Sequence, residues 1–497
     1  MRIFFTVGVL ATLVSAAHAQ SKAEIEAAIV KAVQFYHGEV ANHGGYVYKY
    51  SSDLTLREAE GYPDEDTIWI QPPGTPTVAE AFLDAYEATD NHACSIAALD
   101  AARALVVSQL HSGGWHYRAH LDGEKRGDFS YRRNLDGSTN ADPVPDSERT
   151  AKGGWATWRK RDFGPKNQTV FDDDVTQAAL RSLIRVDHAL KFEDERIHEA
   201  AEYGLAAMLG TQYPSGGWSA NFDRFPSTPT PDESAYPVKK ATLPANPPKT
   251  WPKDFSGCYV TNDNLHANNI LTLLLAFEVY QDKRYLESAK LAGEFLILAQ
   301  LPDPQPAWAQ QYDSNMQPVW DRAFEPAAVS GRESQQLLHA LIEIYRVTKE
   351  EKFAEPVPRA VAYLRSSLLD DGKISRFYEL GTNRPIYFTR SGGSHAMTYE
   401  RKRLASNYGW IIEPELDEIE ANLRAAKAGQ PRPTEPIDSD EVTRIVESLD
   451  DRGAWTEEAR PDLWIRDAEG RKQAPAGGII QSATFIRNIE ILSRALD

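Results

Sequence analysis

A pair of amphipathic helices running into a short aromatic phrase recurs along this chain, and the recurrence limits the folds open to it. The phrases read Gly113-Gly114-Trp115-His116-Tyr117, Gly216-Gly217-Trp218-Ser219-Ala220 and Pro306-Ala307-Trp308-Ala309-Gln310, with a fainter copy at Lys373-Ile374-Ser375-Arg376-Phe377. Trp115 and Trp218 stand 103 residues apart, and Trp218 and Trp308 stand 90 apart. A helical hairpin cannot bury its apolar face alone, so successive copies stack and their loops collect on shared rims.

Apolar residues three or four apart mark the helices. Lys22 to Gly38 reads as one, with Ile25, Ile29, Val33 and Phe35 near helical spacing. Full hairpins are expected over Thr77 to Glu87 with Ala93 to Leu110, and from Asp172–Asp174 through Leu183 with a return over Glu193 to Leu209. Two more are expected from Asn262-Asp263-Asn264 through Leu274 with a return over Tyr285 to Leu298, and from Glu333 through Leu341 with a return over Phe353 to Leu368. Lys22 to Gly38 lacks a partner before it and Ile479 to Leu496 lacks one after it; packing them together closes the array into a ring. The expected fold is therefore all-α, an (α/α) toroid with long irregular rim loops, spanning 20–497 as one domain with its ends side by side. Asp122 to Gln168 is polar, and Arg224 to Gly257 is too rich in proline for helix. Both precede acidic helix starts, which puts them over one rim. Ala426 to Asp440 reads as a linker.

Arg2, an apolar run from Ile3 to Val14 and Ala17-His18-Ala19 read as a signal peptide over residues 1–19. The run is too short to span a bilayer, so a secreted or periplasmic protein with no membrane partner is expected. The formal charge of -18 argues against nucleic acid, which needs a basic surface. A monomer is expected. Cys94 and Cys258 could pair or stay as two buried thiols.

Asp172, Asp173 and Asp174 are three carboxylates just ahead of an apolar-periodic run. Helix capping accounts for one or two of them. A third adjacent charge is costly unless a cation sits there, and clustered hard oxygens suit calcium. Asn262-Asp263-Asn264 can again be caps, yet the repeat places it one hairpin round from Asp172–Asp174, where the two helix starts can face each other. Arg322 falls on the same rim. Arg384, Arg390, Arg401, Lys402 and Arg403 form a basic string in an otherwise acidic chain, able to bind carboxylates bidentately. Rim aromatics such as Trp218 are core anchors or platforms for sugar rings. His266 and His395 are isolated acid/base candidates, each better read as hydrogen-bonding filler.

In order along the chain, several stretches resemble the family-ten pectate lyases. They are Thr169-Val170-Phe171-Asp172-Asp173-Asp174-Val175-Thr176-Gln177, Gly216-Gly217-Trp218, Asn262-Asp263-Asn264 and Trp308-Ala309-Gln310-Gln311-Tyr312-Asp313. Arg322-Ala323-Phe324-Glu325, Ser330-Gly331-Arg332-Glu333-Ser334 and Arg376-Phe377-Tyr378-Glu379-Leu380-Gly381-Thr382-Asn383-Arg384-Pro385 complete the set. The resemblance implies an enzyme that cleaves polygalacturonate by β-elimination, with Ca2+ bound by Asp172 and Asp263 and Arg322 as the base. It also implies that Arg390 and Arg403 hold substrate carboxylates. The chain departs from the family pattern at Asp173, where Asn is expected, and in the long proline-rich insertion before Asp263. Two other readings stay open: a toroidal glycoside hydrolase using Asp172 or Asp174 with Glu333, and a non-catalytic uronate-binding protein.

Overall fold

Among the described residues of the computed structural model, twelve helices alternate between an inner and an outer ring, with one further single turn at Glu351–Ala354. The structure describes residues 20–142, 166–226, 238–253, 259–467 and 470–496; the expected signal peptide and Cys258 lie outside them. In chain order the helices are α1 (Lys22–Phe35), α2 (Thr75–Thr89), α3 (His92–Ser108), α4 (Val175–Ala189), α5 (Glu195–Gly210) and α6 (Leu265–Tyr280). They continue as α7 (Lys283–Ala299), α8 (Gly331–Thr348), α9 (Pro356–Ser366), α10 (Leu416–Lys427), α11 (Ser439–Glu447) and α12 (Ser482–Arg494). The even-numbered helices α2 to α10 touch in turn round the inside, and α12 returns to pack on α2. The architecture is the expected α/α toroid.

Closure comes from the two ends of the chain. The Tyr36 and Phe485 rings stack at 4.0 Å, and the Tyr36 hydroxyl lies 3.0 Å from Ser482 Oγ. Lys22 Nζ donates to the carbonyl of Leu496, so the first and last described helices lie side by side as expected. The sequence reading missed the pair α10 and α11, which supplies the sixth hairpin. Only their connection, 428–438, is the linker expected around Ala426 to Asp440.

Why the aromatic phrases recur is visible in their hydrogen bonds. The indole N–H groups of Trp115, Trp218 and Trp308 donate to the carbonyls of Leu105, Met208 and Leu296 at 2.9, 2.9 and 2.8 Å. Each ring thereby caps the last turn of an outer helix, where carbonyls run out of regular helical partners. The backbone N–H of each Trp bonds the first turn of the next inner helix, at Thr176, His266 and Ser334. A glutamine completes each joint. Gln109, Gln212 and Gln300 donate both to their own phrase and to a carbonyl of the next outer helix, Ala200, Ser288 and Pro356. The double glycine lets the backbone come this close: Gly216 has φ +96°, and a Cβ on Gly114 would lie 2.6 Å from Thr176 Oγ1.

A short strand precedes each inner helix and sets its start. Thr169–Val170 pairs with Asn221–Phe222, and Tyr259–Val260 pairs with Gln311–Tyr312. On the same rim lies an antiparallel sheet of β1 (Ala328–Ser330), β2 (Phe377–Glu379), β3 (Pro385–Ser391) and β4 (Ser394–Thr398). Trp320, Phe377, Phe388 and Trp410 form its own apolar layer. Of the proline-rich segment, Trp251 reaches this rim and donates its indole N–H to the Asp321 carbonyl at 2.7 Å.

Candidate functional site

Two helix starts with matching backbone conformations face each other on this rim. Asp173 and Asp174 have φ of 51° and 60°, and Asp263 and Asn264 have φ of 47° and 61°. Left-handed backbone at a residue other than glycine costs about 1–2 kcal/mol. The strain is repeated at equivalent places in successive repeats, and such strain clusters where function requires a particular side-chain aim. The two turns pack on one another. One carboxylate oxygen from each of Asp172, Asp173 and Asp263 lies within 4.8 Å of the other two.

Burial and mutual repulsion both disfavour charge here. Asp172 is 3% exposed; its Oδ2 accepts from the Tyr117 hydroxyl at 3.3 Å, and its Oδ1 has no hydrogen-bond partner among the described residues. Burial, then Asp263 and Asp173, push its carboxyl well above the usual range. Burial followed by Asp173 and Glu333 pushes Asp263 up to about 7, and burial with Glu60 raises Asp173. Asp174 points elsewhere, held by Arg181 through Nη1 to Oδ1 at 3.0 Å and Nη2 to Oδ2 at 2.5 Å.

Three guanidinium groups surround Asp263. Arg322 Nη2 is 3.6 Å from its Oδ2, and Arg332 and Arg376 are each 3.7 Å from its Oδ1. Arg376 is 2% exposed, donates to Glu333 at 2.8 Å and lies 3.8 Å from the Tyr408 ring centre. Tyr408 donates in turn to Glu325 at 2.8 Å. Arg322 is gripped by both oxygens of Glu325; burial lowers its pKa, but the Glu325 charge and bonds outweigh burial and hold it above the ordinary arginine value. Glu333 is fully buried, and burial alone would raise its pKa. Arg376, Arg332 and the bonds from Ser330 and Gln310 outweigh that and keep it below the usual carboxylate range.

The fate of the other candidates follows from their surroundings. Arg384 is exposed with its guanidinium 3.7 Å from the Tyr399 ring centre, Arg390 is exposed opposite His395 in the β3–β4 ladder, and Arg403 is exposed at φ 51°. Among the described residues no hydrogen bond or ion pair joins these three to the aspartates. Their hairpin borders the mouth, because the His395 ring lies 4.8 Å from Phe324, which Arg322 faces at 5.5 Å. Trp218 must be corrected: at 0% exposed, with its N–H on Met208, it has no face to offer a sugar. His266 is also structural. Its Nε2 accepts the Trp218 backbone N–H at 3.3 Å, and burial lowers its pKa to about 3, so it stays neutral.

Sequence reasoning did not single out Arg376, Glu325, Tyr408 or Arg332 as site residues. For Arg376 a signal existed. It occupies the place in the fourth phrase that His116, Ser219 and Ala309 hold in the others, and an arginine next to the core anchor of a repeat needs a charged partner if it is buried.

No family model matches the chain. No curated protein matches it either. Among solved structures, a family 10 polysaccharide lyase from Cellvibrio cellulosa, a mutant in complex with trigalacturonic acid, is similar at 17% identity and TM-score 0.41, over 70% of this chain and 98% of that one. A sugar epimerase from a ruminal bacterium is similar at 10% identity and TM-score 0.47, over 96% and 99% of the two chains. An α-1,6-mannanase of Salegentibacter sp., in complex with α-1,6-mannotriose, is similar at 10% identity and TM-score 0.40, over 96% and 100%. Among the described residues no helix is long and apolar enough to cross a membrane.

Proposed function

We propose that this chain is an exported, calcium-dependent lyase that cuts polygalacturonate or a related uronate polymer by β-elimination. The observation that carries this reading is the convergence of Asp172, Asp173 and Asp263 within 4.8 Å beside Arg322, Arg332 and Arg376. With Glu325 and Glu333 beside them, the carboxyl groups outnumber the three guanidinium groups, and a divalent cation would favour their ionised form. The donor set fits calcium: the oxygens are hard, and Asp172 Oδ1 is buried with a lone pair to give. Asp172, Asp173 and Asp263 would hold the ion. Bound there, calcium would draw charge from a substrate carboxylate and acidify the proton alpha to it.

In elimination that proton leaves C5, the electron pair forms a C4–C5 double bond, and the glycosidic oxygen departs from C4 with its bonding pair and takes a proton from water. Arg322 is assigned as the proton acceptor. The Glu325 pair opposes this by favouring the charged guanidinium, so the rate must climb with pH. Arg384, Arg390 and Arg403, along the hairpin at the mouth, would bind carboxylates of further sugars. The glycosidase alternative needs a carboxylic acid that keeps its proton opposite a base. Asp172 could keep such a proton, but Glu333 is held in a buried pair with Arg376 and is not free to serve as the base opposite it.

Incubation with polygalacturonate, alginate and xylan, with and without a chelator, tests the reading. New ultraviolet absorbance from unsaturated ends, abolished by the chelator, is the expected result on a uronate polymer. Reducing ends without absorbance would establish hydrolysis instead. Binding without turnover would make the chain a uronate-binding protein.

A further inference from the structure

Of the three arginines round Asp263, two are committed elsewhere. Arg376 is tied to Glu333 and stacked on Tyr408, and Arg322 is gripped by Glu325. Arg332 differs from both. Its side chain is 38% exposed, and among the described residues its one ion pair is with Asp263 Oδ1 at 3.7 Å, too long for an N–H···O bond, while its charge also acts on Glu333 and Asp173.

The backbone that carries Arg332 is nonetheless firmly placed. Gly331 N–H donates to the Arg376 carbonyl at 2.8 Å, and Ser330 N–H donates to the Trp308 carbonyl at 2.7 Å. Arg332 stands in the first turn of α8, next to Glu333, which faces the buried pair with Arg376. Successive helix residues diverge by about 100°. With Glu333 aimed inward, the exposed Arg332 side chain is left toward the mouth, on a fixed base with its donors uncommitted. That is the condition of a preorganised anion receptor.

We infer that Arg332 binds the carboxylate of a second uronate residue, beside the one at the aspartate cluster, and so sets a preference for unesterified over methyl-esterified chain. The inference rests on the uronate reading above. A carboxylate accepts two parallel N–H bonds from a guanidinium, whereas a methyl ester has no charge and cannot accept them as strongly.

The test compares wild type, Arg332→Ala, Arg332→Gln and Arg332→Lys, each as the full chain with calcium, on polygalacturonate and on highly methyl-esterified pectin. Calorimetry with trigalacturonate gives affinities apart from turnover. For Arg332→Ala and Arg332→Gln, KM on polygalacturonate and the trigalacturonate Kd should rise about ten- to a hundredfold, the loss of a charge-assisted bond. Both variants also remove a charge 3.7 Å from Asp263, so calcium is kept saturating and the decisive readout is the ratio of KM on polygalacturonate to KM on esterified pectin, which should rise about ten- to a hundredfold. Arg332→Lys should recover part of the loss. Equal losses on both polymers, or an unchanged trigalacturonate Kd, would overturn the inference. If wild type binds trigalacturonate but makes no unsaturated product, the lyase reading fails while the Kd ratio still decides the role of Arg332. If wild type does not bind trigalacturonate, the inference fails with it.

Discussion

One edge of the Arg322 guanidinium is fully taken by Glu325, with Nε donating to Oε2 at 2.7 Å and Nη2 to Oε1 at 2.5 Å. A carboxylate so placed favours the protonated arginine, so it works against the proposed base. Glu325→Gln keeps the shape and removes the charge, which lowers the arginine pKa. The rising limb of the pH–rate profile should then move toward lower pH. Arg322→Lys should cost about 10²–10⁴-fold in kcat with folding intact, the usual worth of a positioned base. An unmoved limb together with a fully active Arg322→Lys enzyme would remove Arg322 from proton transfer.

The aspartate cluster makes a prediction about stability that needs no substrate. Asp263, pushed up to about 7 by burial and then by Asp173 and Glu333, keeps its proton in the folded protein over a range where the unfolded chain has lost it. From roughly pH 4 to 7 the folded state therefore binds more protons, and stability falls as pH rises, by an amount on the order of a few kcal/mol from this group. Asp172 and Asp173 shift the same way. Melting of the chelator-treated protein should drop across this window relative to Asp263→Asn. Calcium should raise Tm more at pH 8 than at pH 5, because protonated carboxyls must first release their protons. A pH-independent difference between the two proteins, or no effect of calcium on Tm, would refute the assignment.

Much of the toroid was legible because its repeats bury tryptophan at regular places. Four hairpins, the closing contact of α1 with α12 and the acidic starts of α4 and α6 all follow from apolar spacing. Helices α10 and α11 escaped notice although Leu416, Ile419 and Leu423, and Val442, Ile445 and Val446, stand at helical spacing, because the segment that joins them reads as a linker. The site was only half legible. Asp172, Asp173 and Asp263 sit at repeat-equivalent helix starts, which a sequence displays. The ion pairs of Arg322 with Glu325 and Arg376 with Glu333 depend on side-chain aim, which it does not. Trp218 misled for the same reason: a rim tryptophan looks identical in sequence whether its ring faces a sugar or caps a helix.

That misreading can be checked directly. Trp218→Ala should destabilise the protein by about 3–5 kcal/mol through cavity formation and loss of the bond to Met208. Trp218→Phe should keep most of the activity per folded molecule. Gln212→Ala leaves the Gly216 and Ser288 carbonyls without their shared donor and should cost about 2 kcal/mol. Denaturant midpoints measure all three. A large rise in KM for Trp218→Phe at unchanged stability would restore the tryptophan to the substrate site.

Arg376 and Glu333 should behave as a unit. Both are buried, at 2% and 0% exposed, and Nη2 lies 2.8 Å from Oε1. Removing only the arginine strands a carboxylate away from water, and breaking a buried pair in this way costs about 3–5 kcal/mol. Arg376→Met should therefore lower the denaturant midpoint sharply. Glu333→Gln in the same chain removes the stranded charge and should restore at least half of the loss, a coupling that a double-mutant cycle reads out. Calcium affinity, measured by calorimetry on the same variants, should change through Asp263, which Arg376 also faces at 3.7 Å. Strictly additive stability losses would show that the two side chains are neighbours without being partners, and the charge balance assigned to this site would need to be redrawn.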